Sequence, residues 1–95
     1  MSEATEASTL DLGTVKKWAK AQERQFKDLR KQLDKAEDVT VVLRAIDVSD
    51  PGLRSFRNKA RKLQREFPTP ARFRSKVVRE VDSELKRFGK LLALV

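Results

Sequence analysis

The stretch VTVVLRAIDVSDPGLRSF, residues 39–56, decides how the chain folds. Val39, Val41 and Leu43 alternate as in a half-buried strand, and VTVV is β-branched. Val39, Val42, Leu43 and Ile46 instead fall at i, i+3, i+4 and i+7, the stripe of a short helix. No other stretch of the chain reads as a strand, so a strand here has nothing to pair with. The spacing therefore predicts a helix over 39–47, with Asp38 as its cap. SDPG then sets a capping Ser49 or Asp50 before Pro51, and Pro at the first helical position opens a new helix.

Outward from this stretch the helical period persists. On the N-terminal side Val15, Trp18, Ala21 or Gln22, Phe26, Leu29, Leu33 and Ala36 recur at steps of three and four, which predicts one long helix over 14–37 capped by Asp11 or Thr14. Glu23 and Lys27 add an (i, i+4) pair in the favourable orientation. Trp18 is expected as a core anchor rather than a stacking platform. On the C-terminal side Leu53, Phe56, Ala60, Leu63 and Phe67 predict a helix over 51–67. FPTP breaks the chain at Pro68 and restarts it, with Thr69 capping and Pro70 opening. Phe73, Val77, Val81, Leu85, Phe88 and Leu92 carry the last helix over 70–93. Gly89 lies inside it at a cost of about 1 kcal/mol relative to Ala, which marks Phe88 as the place where fraying can begin. LLALV is apolar for a chain end. Leu92 is expected to pack on the bundle or else the chain continues into a longer protein, and Leu94 and Val95 are open.

These elements make an all-α bundle of four helices with no sheet. Residues 1–12 are small, polar and acidic and are expected to be a disordered tail, leaving 13–95 as a single domain. The 95 residues include no Cys and no His. A disulfide framework, a thiol nucleophile, the commonest general base and the usual metal ligand are thereby absent. Gly13, Gly52 and Gly89 never cluster to cradle a phosphate, and the acids are interleaved with Lys and Arg, as Asp82 is with Lys86. No enzyme, cofactor or metal is expected. No apolar run reaches the ~20 residues of a membrane span, and every apolar stripe is claimed by bundle packing, so no membrane partner is expected. MSEATEASTL is no secretory signal, which points to a soluble intracellular protein.

The formal net charge is +8 and is unevenly placed. Residues 13–50 carry nine basic and seven acidic side chains, whereas 54–79 carry ten basic ones against Glu66 alone. Such a region attracts phosphates, acidic peptides or anionic lipid, or is simply a solvated surface. A helix-turn-helix over 39–67 is one way to use it. Val42, Leu43, Ile46, Val48, Leu53 and Phe56 would face inward, and Arg54, Arg57, Asn58 and Arg61 would project toward DNA, Arg to guanine edges and Asn to adenine. Asp47 stands where the turn usually has Gly, and Leu43 is bulky where the helices should approach closely.

VTVVLRAIDVS also resembles the segment of the elongation factor IIS N-terminal domain family in which a Val/Ile-Thr pair leads a short helix. DLRKQLDKAED, with Leu29 and Leu33, is similar to the family's preceding helix, and RSFRNKARKL to the one that follows. ELKRFGKLL matches its closing helix, with Phe88 where the family usually has Trp. Elongin A, the IWS and Mediator subunits and the integrase-binding domain of lens-epithelium-derived growth factor share these features. The likeness spans residues 28–95. Ser49 stands where a Gly commonly follows the short helix, and the helix from Leu53 and its link are longer than usual.

The resemblance implies a nuclear scaffold of transcription elongation that binds short linear motifs in disordered partners. In the integrase-binding member partners dock at loops between helices, which maps here onto REFPTP: Arg65, Phe67 and Thr69, with Lys62 and Arg72 nearby. The residues add their own case, because Phe67 ends its helix, Pro68 and Pro70 stiffen the turn, and the cations suit an acidic segment with a Phe anchor. The remaining reading is a subunit that assembles with another helical protein.

Overall fold

The computed structural model describes residues 12–95. Four α-helices follow one another: α1 Leu12–Lys35, α2 Val39–Arg44, α3 Pro51–Glu66 and α4 Pro70–Leu94. No strand occurs among the described residues. The expected tail over 1–12, apart from Leu12 itself, and Asp11 as a cap lie outside them. Helix α1 begins at Leu12, so Thr14 sits inside its first turn rather than capping it.

The two longest helices run antiparallel and form the main seam. Trp18 of α1 meets Phe88 of α4, Arg30 bonds Asp82 at 2.9 Å, and the end of α1 meets Arg74 at the start of α4. Phe26, Leu29, Leu33, Phe73, Val77, Val81 and Phe88 are buried along it, joined by Phe56 and Ala60 of α3 and by Val39, Val42 and Leu43 of α2. Phe26 lies edge-on to Phe56, with ring centroids 5.6 Å apart. Leu63 and Leu85 are only half-buried at the margin of this core.

Residues 39–44 settle as helix. Val42 is buried while Val41 is 57 % exposed; a strand would have placed Val41 on the same face as buried Val39 and Leu43. Asp38 caps it, its carboxylate accepting from the Thr40 hydroxyl at 2.6 Å and the Thr40 N–H at 3.0 Å. Those bonds hold the Asp38 carboxyl below its ordinary pKa, the hydroxyl contributing most. A depressed value means that the cap's stabilisation is present above the unfolded pKa and is lost as pH falls through the folded one. The helix stops at Arg44, earlier than the spacing predicts, because Asp47 turns the chain by accepting from Ser49 N–H and Oγ at 3.0 and 2.6 Å.

The end of α1 is closed by a residue with no sequence signature. Arg74 donates to the carbonyl of Leu33 at 2.5 Å, to that of Ala36, and to that of Glu37 at 2.8 Å. One guanidinium thus takes one of the carbonyls that the helix end leaves without a partner, Leu33, and two more in the turn after it. Asp82 pairs with Arg30 rather than with Lys86, and Glu23 and Lys27 form their expected ion pair at 3.6 Å.

Three stability measurements follow from this packing. Phe56→Ala and Phe88→Ala remove rings that are 2 % exposed and should each cost ~3–5 kcal/mol in chemical denaturation. Arg74→Met should cost ~1–2 kcal/mol by removing three bonds to partly buried or exposed carbonyls, with Arg74→Lys recovering only part. Gly89 lies in a helix that continues to Leu94, and a Cβ there meets nothing within 4 Å. Gly89→Ala should therefore raise stability by ~0.5–1 kcal/mol; a loss would show that the helix does not continue through Gly89.

Candidate nucleic-acid interface

Helix α3 is positioned from its first residue. Asp50 caps it, accepting from the backbone N–H groups of Gly52 at 2.9 Å and Leu53 at 3.2 Å, with Pro51 as the first helical residue. The same carboxylate accepts from Gln22 Nε2 at 3.1 and 3.3 Å. Gln22 is 6 % exposed, so a buried amide of α1 fixes the start of α3. Its Oε1 has no hydrogen-bond donor and lies where a Cβ on residue 52 would come within 2.2 Å of it. A side chain at residue 52 would make the Gln22 amide end shift from its place against Asp50.

With Phe56 and Ala60 turned inward, the helical period turns Arg54, Asn58, Arg61, Lys62 and Arg65 outward, and all five are exposed. Seven residues separate Arg54 from Arg61, which is about 10 Å of helix. Arg57 is half-buried against α2, its Nε enclosed without an acceptor. Together with Thr40, Arg44, Arg61 and Gln64 it lines a cleft of about 240 Å³ between α2 and α3. Thr40, Arg44 and Gln64 were not among the sequence-selected residues, since only the packing of α2 beside α3 brings them to Arg57 and Arg61.

The acids that have partners among the described residues hold them elsewhere. Asp38, Asp47 and Asp50 accept from backbone at caps and turns, Asp34 and Asp82 hold Arg30, Glu80 meets Lys59 and Glu84 meets Arg87. Arg54, Arg61, Lys62 and Arg65 have no ion-pair partner among the described residues; Glu66, the one acid nearby in sequence, holds none of them. The resulting face is a strip of free positive charge along one rigid helix.

The junction at REFPTP is built differently. Phe67 is half-buried as the C-cap of α3, its N–H bonded to Leu63 O at 2.8 Å. Lys76 Nζ lies 4.7 Å from its ring centroid, so a cation from α4 already occupies one ring face. Thr69 is exposed and makes no side-chain capping bond, and Arg72 is exposed on the first turn of α4. Lys62 and Arg65 belong to the α3 strip as much as to this junction.

Two expectations about apolar residues need correction. Val48, read as inward-facing in a helix-turn-helix, is 40 % exposed, because the Asp47–Ser49 turn carries it outside the helices. Trp18 is 50 % exposed and meets Phe88 edge-on with centroids 5.7 Å apart. Helix α3 starts only at Pro51 and leaves its outer face uncovered.

Among the described residues no three His, Cys, Asp or Glu side chains gather where a metal ion could sit, and no helix is long and apolar enough to cross a membrane. No protein-family model, curated protein or solved structure matches the chain.

Gly52 gives the direct test of how α3 is held. Gly52→Ala should lower stability by ~1–3 kcal/mol by displacing the buried amide, whereas Ser55→Ala, on an exposed position of the same helix, should change it by less than ~0.5 kcal/mol.

Proposed function

We propose that the chain binds nucleic acid through the outward face of α3, chiefly by contacts to phosphates. The observation that carries this reading is that Arg54, Arg61, Lys62 and Arg65 have no acid partner among the described residues. Isolated exposed cations are common, but four on one helix face with no compensating acid create a field that draws in a polyanion. A helix of this kind fits the ~12 Å major groove. Asn58, exposed in the middle of the strip, would be the residue to reach a base edge. Strong base selection is not expected, because α2 is six residues long and residues 45–50 make a longer turn to α3 than the roughly three or four residues a helix-turn-helix uses. Binding with little sequence preference is the form of the proposal.

A second reading remains in play on one observation. The hydroxyl of Thr69, which makes no capping bond, and the half-buried ring of Phe67 stand close in sequence to Lys62, Arg65 and Arg72, the residue types that a scaffold for acidic linear motifs of the elongation-factor type would use. Lys76 on the Phe67 ring would have to move for an apolar anchor to reach that face.

Anisotropy titrations of random and selected duplexes at two salt concentrations test the first reading. Four phosphate contacts give a slope of log K on log salt near −3.6, or roughly tenfold weaker binding per doubling of salt. Arg54→Glu with Arg61→Glu should abolish binding, and Asn58→Ala should leave affinity for random duplexes unchanged. Salt-insensitive binding, or a double variant that binds like the parent, would refute it. If an acidic Phe-containing peptide binds, is lost with Phe67→Ala and is spared by Asn58→Ala, the second reading replaces the first.

A further inference from the structure

Beyond the α3 strip, α1 and α4 continue as a pair past the point where α3 begins. A groove of about 290 Å³ opens there, lined by Trp18, Phe26, Pro51, Phe56, Arg87 and Phe88. On α1, Val15 and Trp18 precede Gln22 on this stripe. On α4, Leu91 and Leu94 follow Glu84 and Arg87 at the i+7 and i+10 positions of the same stripe. The groove thus runs out along an apolar track of which Trp18 is 50 % and Leu94 81 % exposed. Helix α3 covers the inner part of this seam and leaves the outer part bare.

The charge around the bare part is mostly positive; Glu84, which also lines the groove, is taken by Arg87. Residues 12–22 and 85–95 contain no Asp or Glu, and they hold Lys16, Lys17, Lys20, Lys86, Arg87 and Lys90. Among the described residues only Arg87 of these has an acid partner, Glu84. An apolar track fringed by free cations disfavours a second copy of itself, because docking two such tips would bring like charges together. It favours a partner that offers apolar anchors and negative charge at once.

We infer that the outer α1/α4 groove is a docking site for an acidic amphipathic helix of another protein, laid end-on to α3. Apolar residues of that helix at i, i+3, i+4 and i+7 would cover Trp18, Phe88 and Leu91, and its carboxylates would meet the lysines. The groove borders the α3 strip at Pro51, Ser55 and Lys59, but neither Arg54 nor Arg61 lines it. It does not depend on the reading of α3.

Trp18 is the single tryptophan and reports on this groove directly. The probe is a synthetic helical peptide of roughly 18 residues with Leu at the anchor positions and Glu elsewhere. Titration into the full chain should shift Trp18 emission to the blue and saturate, and the same peptide with Lys for Glu should give no shift. Leu94→Glu, on the track and remote from the core, should weaken binding at least about tenfold by anisotropy of the labelled peptide, and Trp18→Ala likewise. Arg54→Glu with Arg61→Glu should leave it unchanged. The proposal is overturned if the Glu peptide gives no shift, or if the α3 double variant rather than Leu94→Glu loses it. It is also overturned if the shift comes instead from vesicles of anionic phospholipid, or from raising the protein concentration alone.

Discussion

Along the seam between α1 and α4, Leu29 and Leu33 meet Phe73, Val77 and Val81 with almost no access to water, and the other two helices take only the ground this seam leaves. Arg74 closes one end of it by ending α1 on its own guanidinium. Arg30 and Asp82 bridge its side. Helix α2 covers the flank near Leu33, and α3 lies on the Phe26–Phe56–Phe88 cluster. Because α3 is shorter than either seam helix, it cannot cover the whole length. Where it stops, an aromatic residue stays half in water.

The charge distribution follows from the same division of labour. In a chain with 22 basic and 14 acidic residues, acids are scarce, and those with identified partners serve the fold: they cap α2 and α3, close the turn before Asp50 and brace α1 against α4. Cations outnumber these structural posts. Arg74 and Arg30 take posts inside the architecture, and the surplus is displayed on α3 and at the outer ends of α1 and α4. The excess over 54–79 in the sequence therefore overstates the uncompensated positive surface, since Arg74 faces carbonyls, Lys76 an aromatic ring and Lys59 a glutamate.

The all-α architecture was legible because apolar steps of three and four leave few alternatives, and Pro51 and Pro70 mark helix starts with unusual clarity. The outward set Arg54, Asn58 and Arg61 followed from the same period. What escaped were features that depend on pairing distant segments. Arg74 looked like one more surface cation, and Gln22 like a filler between apolar positions; each is defined by what lies opposite it in space. Trp18 failed for a related reason: periodicity says which face of a helix points inward, but not whether another helix reaches that far along.

The seam also constrains the order of events in folding. Arg30 finds Asp82 across 52 positions, and Arg74 reaches Leu33 across 41, although helical bundles usually fold rapidly through contacts close in sequence. During synthesis α1 is made early, yet its apolar stripe has no full cover until α4 has left the ribosome. In the interval the nascent chain presents Phe26, Leu29 and Leu33 to whatever is near, with only α2 and α3 to shield them. A bundle that joins its first described helix to its last makes late completion a condition of stability, and leaves the growing chain open to chaperones until then.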